Sequence, residues 1–84
     1  MRKIVVIRYE MHGERARADG DIELVMPERT AEELEGAAAD SASEKTSKAY
    51  THAALMVYAM AKLQGYRDGY ITSIRIKEGG ERDE

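Results

Sequence analysis

Hydrophobic and polar positions along the chain follow two rhythms. From Lys3 to Met11 the period is two: Val5, Ile7, Tyr9 and Met11 alternate with Val6, Arg8, Glu10 and His12, the spacing that sends successive side chains to opposite faces of a strand. Ile4 and Val6 add apolar residues to the second face, and β-branched residues on both faces predict a central strand with a neighbour on each side. Asp21 to Met26 repeats the alternation, with Ile22, Leu24 and Met26 on one face and Asp21, Glu23 and Val25 on the other. Within the intervening Gly13 to Gly20, the pair Asp19-Gly20 suits the positive φ angles of a tight turn and predicts the hairpin. A third run, Tyr70 to Lys77, sets Thr72, Ile74 and Ile76 against Ile71, Ser73, Arg75 and Lys77.

The middle of the chain has a helical rhythm. Pro27 cannot donate to a ladder, so it ends the second strand, and its fixed φ suits the first turn of a helix. Glu28 to Ala39 is built of helix formers, with Glu28, Glu32 and Glu33 near the positive end of the helix dipole. Its apolar face is thin: Ala31, Leu34, Ala37, Ala38 and Ala39, with Gly36 costing up to about 1 kcal/mol relative to Ala. Asp40 to Ser43 is the natural break, because Ser41 and Glu44 have capping-box spacing. A second helix then runs from about Ser43 to Gln64, with Gly65 as its left-handed closing residue and Tyr66 folding back onto the last turn. Inside it, Ala49, Ala53, Met56, Met60 and Leu63 recur at spacings of four and three, which predicts the stripe that faces the core. Leu55, Tyr58 and Ala59 fall outside that stripe and have no evident cover within the chain.

The order strand, strand, helical region, strand predicts a small two-layer α+β domain, ββαβ or ββααβ. Its three-stranded sheet has the order 2-1-3, with the helices packed on one face. If the helical region acts as one rod, all three strands are antiparallel; if it doubles back as a hairpin, the third runs parallel to the first. Residues 1–78 make up this single domain and 79–84 a flexible polar tail.

Composition narrows the chemistry. The 84 residues contain no cysteine and only two histidines, which excludes disulfides and argues against a structural zinc site. A net charge of -3 is neither that of a strongly basic nucleic-acid binder nor that of a polyanion. The apolar run Ile4 to Ile7 is too short for an export signal, and the apolar helix is shorter than the roughly 20 residues that span a bilayer. The expected compartment is the cytoplasm.

His12, beside Gly13-Glu14, has the residue types of a base and its orienter, but adjacency alone does not make a site, and an exposed hairpin histidine is the simpler reading. His52 lies in the apolar helix with no companion ligand at metal-binding spacing and reads as a helix-face histidine. Gly79-Gly80 falls in the tail, Gly65 and Gly69 punctuate a turn, and no serine sits in a nucleophile elbow. No catalytic, cofactor-binding or metal-binding residue is therefore assigned, and no cofactor is expected. Three surfaces remain. Tyr50, Leu55, Met56, Tyr58 and Ala59 form a helical partner interface, since methionine repacks easily and tyrosine suits contacts. Glu28, Glu32, Glu33 and Glu35 form an acidic surface suited to a basic partner. Arg2, Arg8, Arg75 and Lys77 ring the open sheet face around Ile4, Val6, Val25 and Ile71, but Glu10, Asp21 and Glu23 offset them. The first two strands also lack outward aromatic platforms for bases.

The sequence leads to a non-enzymatic, intracellular protein-interaction module. It would be a regulator, adaptor or inhibitor of another protein, of the kind phages and mobile elements encode, and a homodimer through its second helix. A nucleic-acid binder using the open sheet face is the alternative.

Overall fold

A computed structural model of the chain describes residues 1–77. Its elements are β1 (Arg2–His12), β2 (Arg17–Pro27), α1 (Glu28–Ala39), α2 (Ser41–Glu44), α3 (Lys48–Leu63) and β3 (Asp68–Ile76). The strands are all antiparallel in the order β2-β1-β3, and the helices pack against the sheet as the second layer of a small α+β domain. The tail expected at 79–84 lies outside the described residues.

β1 takes the centre for the reason its pattern gives. Val5 and Ile7 are fully buried on the helix side, and Val6, on the opposite face, is buried as well because Glu23 and Arg75 flank it in register. The hairpin, however, does not turn at Asp19-Gly20. It turns at Gly13–Ala16, where the Gly13 N–H donates to the Ala16 carbonyl at 2.7 Å, so that pairing continues out to His12 and Arg17. Gly20 instead lies mid-strand opposite Tyr9. A Cβ there would sit 2.7 Å from the Tyr9 hydroxyl, so the missing side chain makes room for the tyrosine, and the ring covers the glycine.

Pro27 is the N-cap of α1, one residue before the first turn, and the following Glu28 N–H bonds to the Met1 carbonyl at 2.9 Å. α1 buries Ala31, Leu34 and Ala37. The break that follows is capped by Asp40, whose carboxylate accepts from the Ala42 N–H at 3.0 Å and starts the four-residue α2; the Ser41 side chain of the expected capping box lies outside what the structure describes. α3 begins at Lys48 and not near Ser43, because Ser47 is its N-cap, accepting from the Tyr50 N–H at 3.0 Å. The helical region is neither one rod nor a hairpin. It makes one net traverse from the Pro27 end of the sheet to the His12 end, where the Arg67 N–H bonds to the His12 carbonyl at 2.8 Å, and β3 returns antiparallel to β1.

The stripe of α3 that faces the sheet is Ala53, Val57 and Ala61, with Ala49 and Tyr50 partly buried beside it. This is displaced by about one position from the expected Ala49, Ala53, Met56, Met60 and Leu63: Met56 and Leu63 are exposed. The small residues win because they let the helix descend onto β3. A Cβ at Gly69 would meet the Ala61 Cβ at 2.6 Å and the Val57 carbonyl at 3.1 Å, so helix and strand are in contact with no side chain larger than the Ala61 methyl between them.

A further correction concerns β3. The register shifts opposite Arg8 and Tyr9: Arg8 pairs with Ser73 but Tyr9 with Ile71, leaving Thr72 as a bulged residue whose hydroxyl donates to the Arg8 carbonyl at 3.2 Å. An extra residue reverses which side chains face which way. Ile71, expected on the open face, therefore packs against the core, and Tyr70 emerges on the open face opposite Glu10. Gly65 closes α3 with φ of 90°, the Tyr66 N–H folds back onto the last turn to bond the Ala61 carbonyl at 3.0 Å, and the Tyr66 ring lies beside Gly13.

Candidate interaction surface

With Ala53, Val57 and Ala61 turned to the sheet, the helical period places Lys48, Thr51, Leu55, Tyr58 and Lys62 together on the outward face of α3. Leu55 is 59% exposed, Tyr58 42% and Met56 38%, and Ala59 is exposed beside them. Tyr50 is half-buried: it touches the core from one side, and on the other it joins Ala54, Leu55 and Tyr58 as the floor of a shallow recess of about 430 Å³, edged by Glu44 and Lys45. Of the residues expected as a helical interface, Tyr50, Leu55 and Tyr58 come together at this recess, whereas Met56 lies on the other flank of the helix and Ala59 on the side away from Tyr50. Burial pushes the Tyr50 phenol above its ordinary pKa, and the nearby Glu44 carboxylate pushes it the same way, so this ring stays neutral. The Lys62 ammonium sits 5.6 Å from the centre of the Tyr58 ring, a cation–π approach that leaves the hydrocarbon stem along the helix.

The acidic set is divided between surface and internal work. Glu32 is exposed and Glu28 half-buried. Glu33 accepts from the Ser47 hydroxyl at 2.7 Å and from the Ala49 N–H at 3.5 Å, placing a carboxylate at the positive end of α3 and tying α1 to it. Glu35 accepts from the Ile76 N–H at 3.0 Å, occupying an amide on β3, an edge strand of the sheet.

The cationic set emerges on the open sheet face as expected, with half of it paired there. Arg8 reaches both oxygens of Asp21, at 3.0 and 3.5 Å, and Lys77 lies 3.2 Å from Glu23; Arg2 and Arg75 are exposed. The Arg8 hydrogen bond and charge hold the Asp21 carboxyl below its ordinary pKa, and Asp21 raises that of Arg8. Farther along this face Tyr70, Glu10 and His12 meet. The Tyr70 hydroxyl is 2.8 Å from His12 Nε2 and 3.1 Å from Glu10 Oε1, and the last two are 3.0 Å apart. The His12 and Tyr70 rings stack with centroids 5.4 Å apart. Hydrogen bonds from His12 and then Tyr70 hold the Glu10 carboxyl below its ordinary pKa; burial, then Glu10, raises the Tyr70 phenol. The carboxylate that partners His12 is thus Glu10, two residues back on the same strand face, and not Glu14. Period-two spacing carried that signal, whereas Tyr70 joins only through the bulge. The three polar groups satisfy one another and clasp β1 to β3. His52 is exposed on α3.

Among the described residues, no group of His, Cys, Asp and Glu could hold a metal ion, and no helix is long and apolar enough to cross a membrane. Comparison with protein-family models, curated proteins and solved structures gives no match to this chain.

Proposed function

We propose that this chain is a non-enzymatic protein-interaction module that docks another polypeptide on the outward face of α3, as a regulator, adaptor or inhibitor does. The observation that carries this reading is the exposure of Leu55 and Tyr58 at the centre of a helix face whose apolar side chains have no role in the fold's own core. Large apolar side chains grouped on a surface cost solubility and are characteristic of contact sites. The adjoining recess suits an anchoring side chain of the partner. A second copy of the chain and a different protein are the two forms that such docking takes.

The test uses the immobilised protein in an extract of its native cells. Leu55→Glu with Tyr58→Glu keeps the far-UV circular dichroism of the wild type and loses the retained protein, whereas Arg8→Glu with Arg75→Glu, on the opposite side of the sheet, retains it. The reverse pattern, with nucleic acid released by salt from the wild type, contradicts the proposal and favours the sheet face.

A further inference from the structure

The exposed face of α3 has an ordered charge pattern. Lys48, Leu55 and Lys62 recur at intervals of seven, with Thr51 and Tyr58 between them, so the seam reads cation, apolar centre, cation. Its two ends are about 21 Å apart at 1.5 Å per residue. Lys48 to Leu63 contains no acidic residue, although the chain as a whole is net acidic at -3. At the recess itself Glu44 is set beside Lys45, so the two charges offset each other there, and Asp68 next to it accepts from the Gly69 N–H at 2.9 Å.

This pattern is self-avoiding. In an antiparallel pairing of two copies Lys48 falls beside Lys62 of the other at both ends, and in a parallel pairing each lysine meets its own equivalent. The complementary seam is acid, apolar centre, acid. We propose that the occupant of this face is an amphipathic helix of another protein. Its apolar side chains cover Leu55 and Tyr58, and an Asp or Glu near each end meets Lys48 and Lys62. This inference rests on the docking role of α3. It also replaces the homodimer expected of the helix with a complex between unlike chains. The central contacts supply affinity, and the lysines select the partner and its register.

The test compares two synthetic helical peptides of about 18 residues, the length needed to cover the seam. Both carry two central leucines, and on the same face one has glutamates at the ends and the other lysines. By fluorescence anisotropy at low salt the glutamate peptide binds about tenfold tighter, the effect of exchanging two exposed ion pairs for two like-charge contacts, and the gap narrows at high salt. Lys48→Glu with Lys62→Glu reverses the order, and Leu55→Glu weakens both peptides. Equal binding, or tighter binding of the lysine peptide, overturns the acidic partner while the docking role of α3 stands. Binding of neither peptide, with a Leu55-dependent dimer in sedimentation, overturns it in favour of a second copy. Binding of neither peptide without a dimer overturns the docking role as well.

Discussion

Gly69 sets how closely α3 approaches the sheet, because the nearest atoms above it are the Ala61 methyl and the Val57 carbonyl. Neither can swing away as the end of a long side chain could. Gly69→Ala should therefore destabilise the fold by about 1–3 kcal/mol, as overpacking does, measured by urea unfolding. Adding Ala61→Gly should return part of that loss despite the helix cost of glycine, so the two changes are not additive. The polar residues of the open face act through pH instead. Glu10 and Asp21 ionise at lower pH in the folded chain than at their ordinary values of 4.5 and 3.8. Their contribution is therefore fully present above those values and is lost as pH falls through and below them. Thermal unfolding between about pH 5 and pH 3 should show Tm falling less steeply for Glu10→Gln with Asp21→Asn than for the wild type. Both groups are exposed, so the difference is small; an unchanged acid slope would contradict the roles given to His12, Tyr70 and Arg8.

At the scale of elements, the readable features were those with a local cause. α1 runs from Glu28 to Ala39 as its sequence predicts, since Pro27 stops the strand and Asp40 stops the helix. β1 is central because its two faces are both apolar. What escaped was set by groups distant in sequence. Asp19-Gly20 has good turn chemistry, but Tyr9 across the ladder uses the glycine as a floor. Ile71 changes face because of a bulge opposite Arg8 and Tyr9, which no period shows. The stripe of α3 shares Ala53 with the expected one but continues differently, because methionine and leucine outrank alanine on any hydrophobic pattern, whereas close approach to Gly69 selects Val57 and Ala61. Of the candidate surface, Leu55, Tyr58 and Ala59 were legible as lacking cover, since neither placement of the buried stripe reaches them. The internal tasks of Glu33 and Glu35 were not legible, because their partners are Ser47 and the Ile76 amide. Ser47→Ala should cost about 1 kcal/mol by removing the cap of α3 and should loosen α1 through Glu33, an effect visible in urea midpoints. Glu35→Ala should speed hydrogen exchange at the Ile76 amide while α3 amides keep their protection; equal loss of protection throughout would assign Glu35 a global role instead.

The whole molecule has two exposed faces of different character. On the open sheet face, Arg8 with Asp21, Lys77 with Glu23, and Glu10 with His12 and Tyr70 form cross-strand pairs. Exposed pairs of this kind add little to stability each, but they engage charges that a nucleic-acid contact would need. The outward face of α3 instead keeps large apolar side chains in water between two lysines. A chain of this size buries a modest fraction of its surface, and leaving Leu55 and Tyr58 outside that burial is a cost that the proposed docking would offset. The most direct measurement is an amide chemical-shift titration of the 15N-labelled protein with the glutamate-flanked helical peptide. Docking on α3 predicts saturable shifts concentrated between Lys48 and Lys62 and around Gly69, with β2 and the open sheet face unmoved. Saturable shifts centred on Arg8, Arg75 and Lys77, or none along α3, would contradict it.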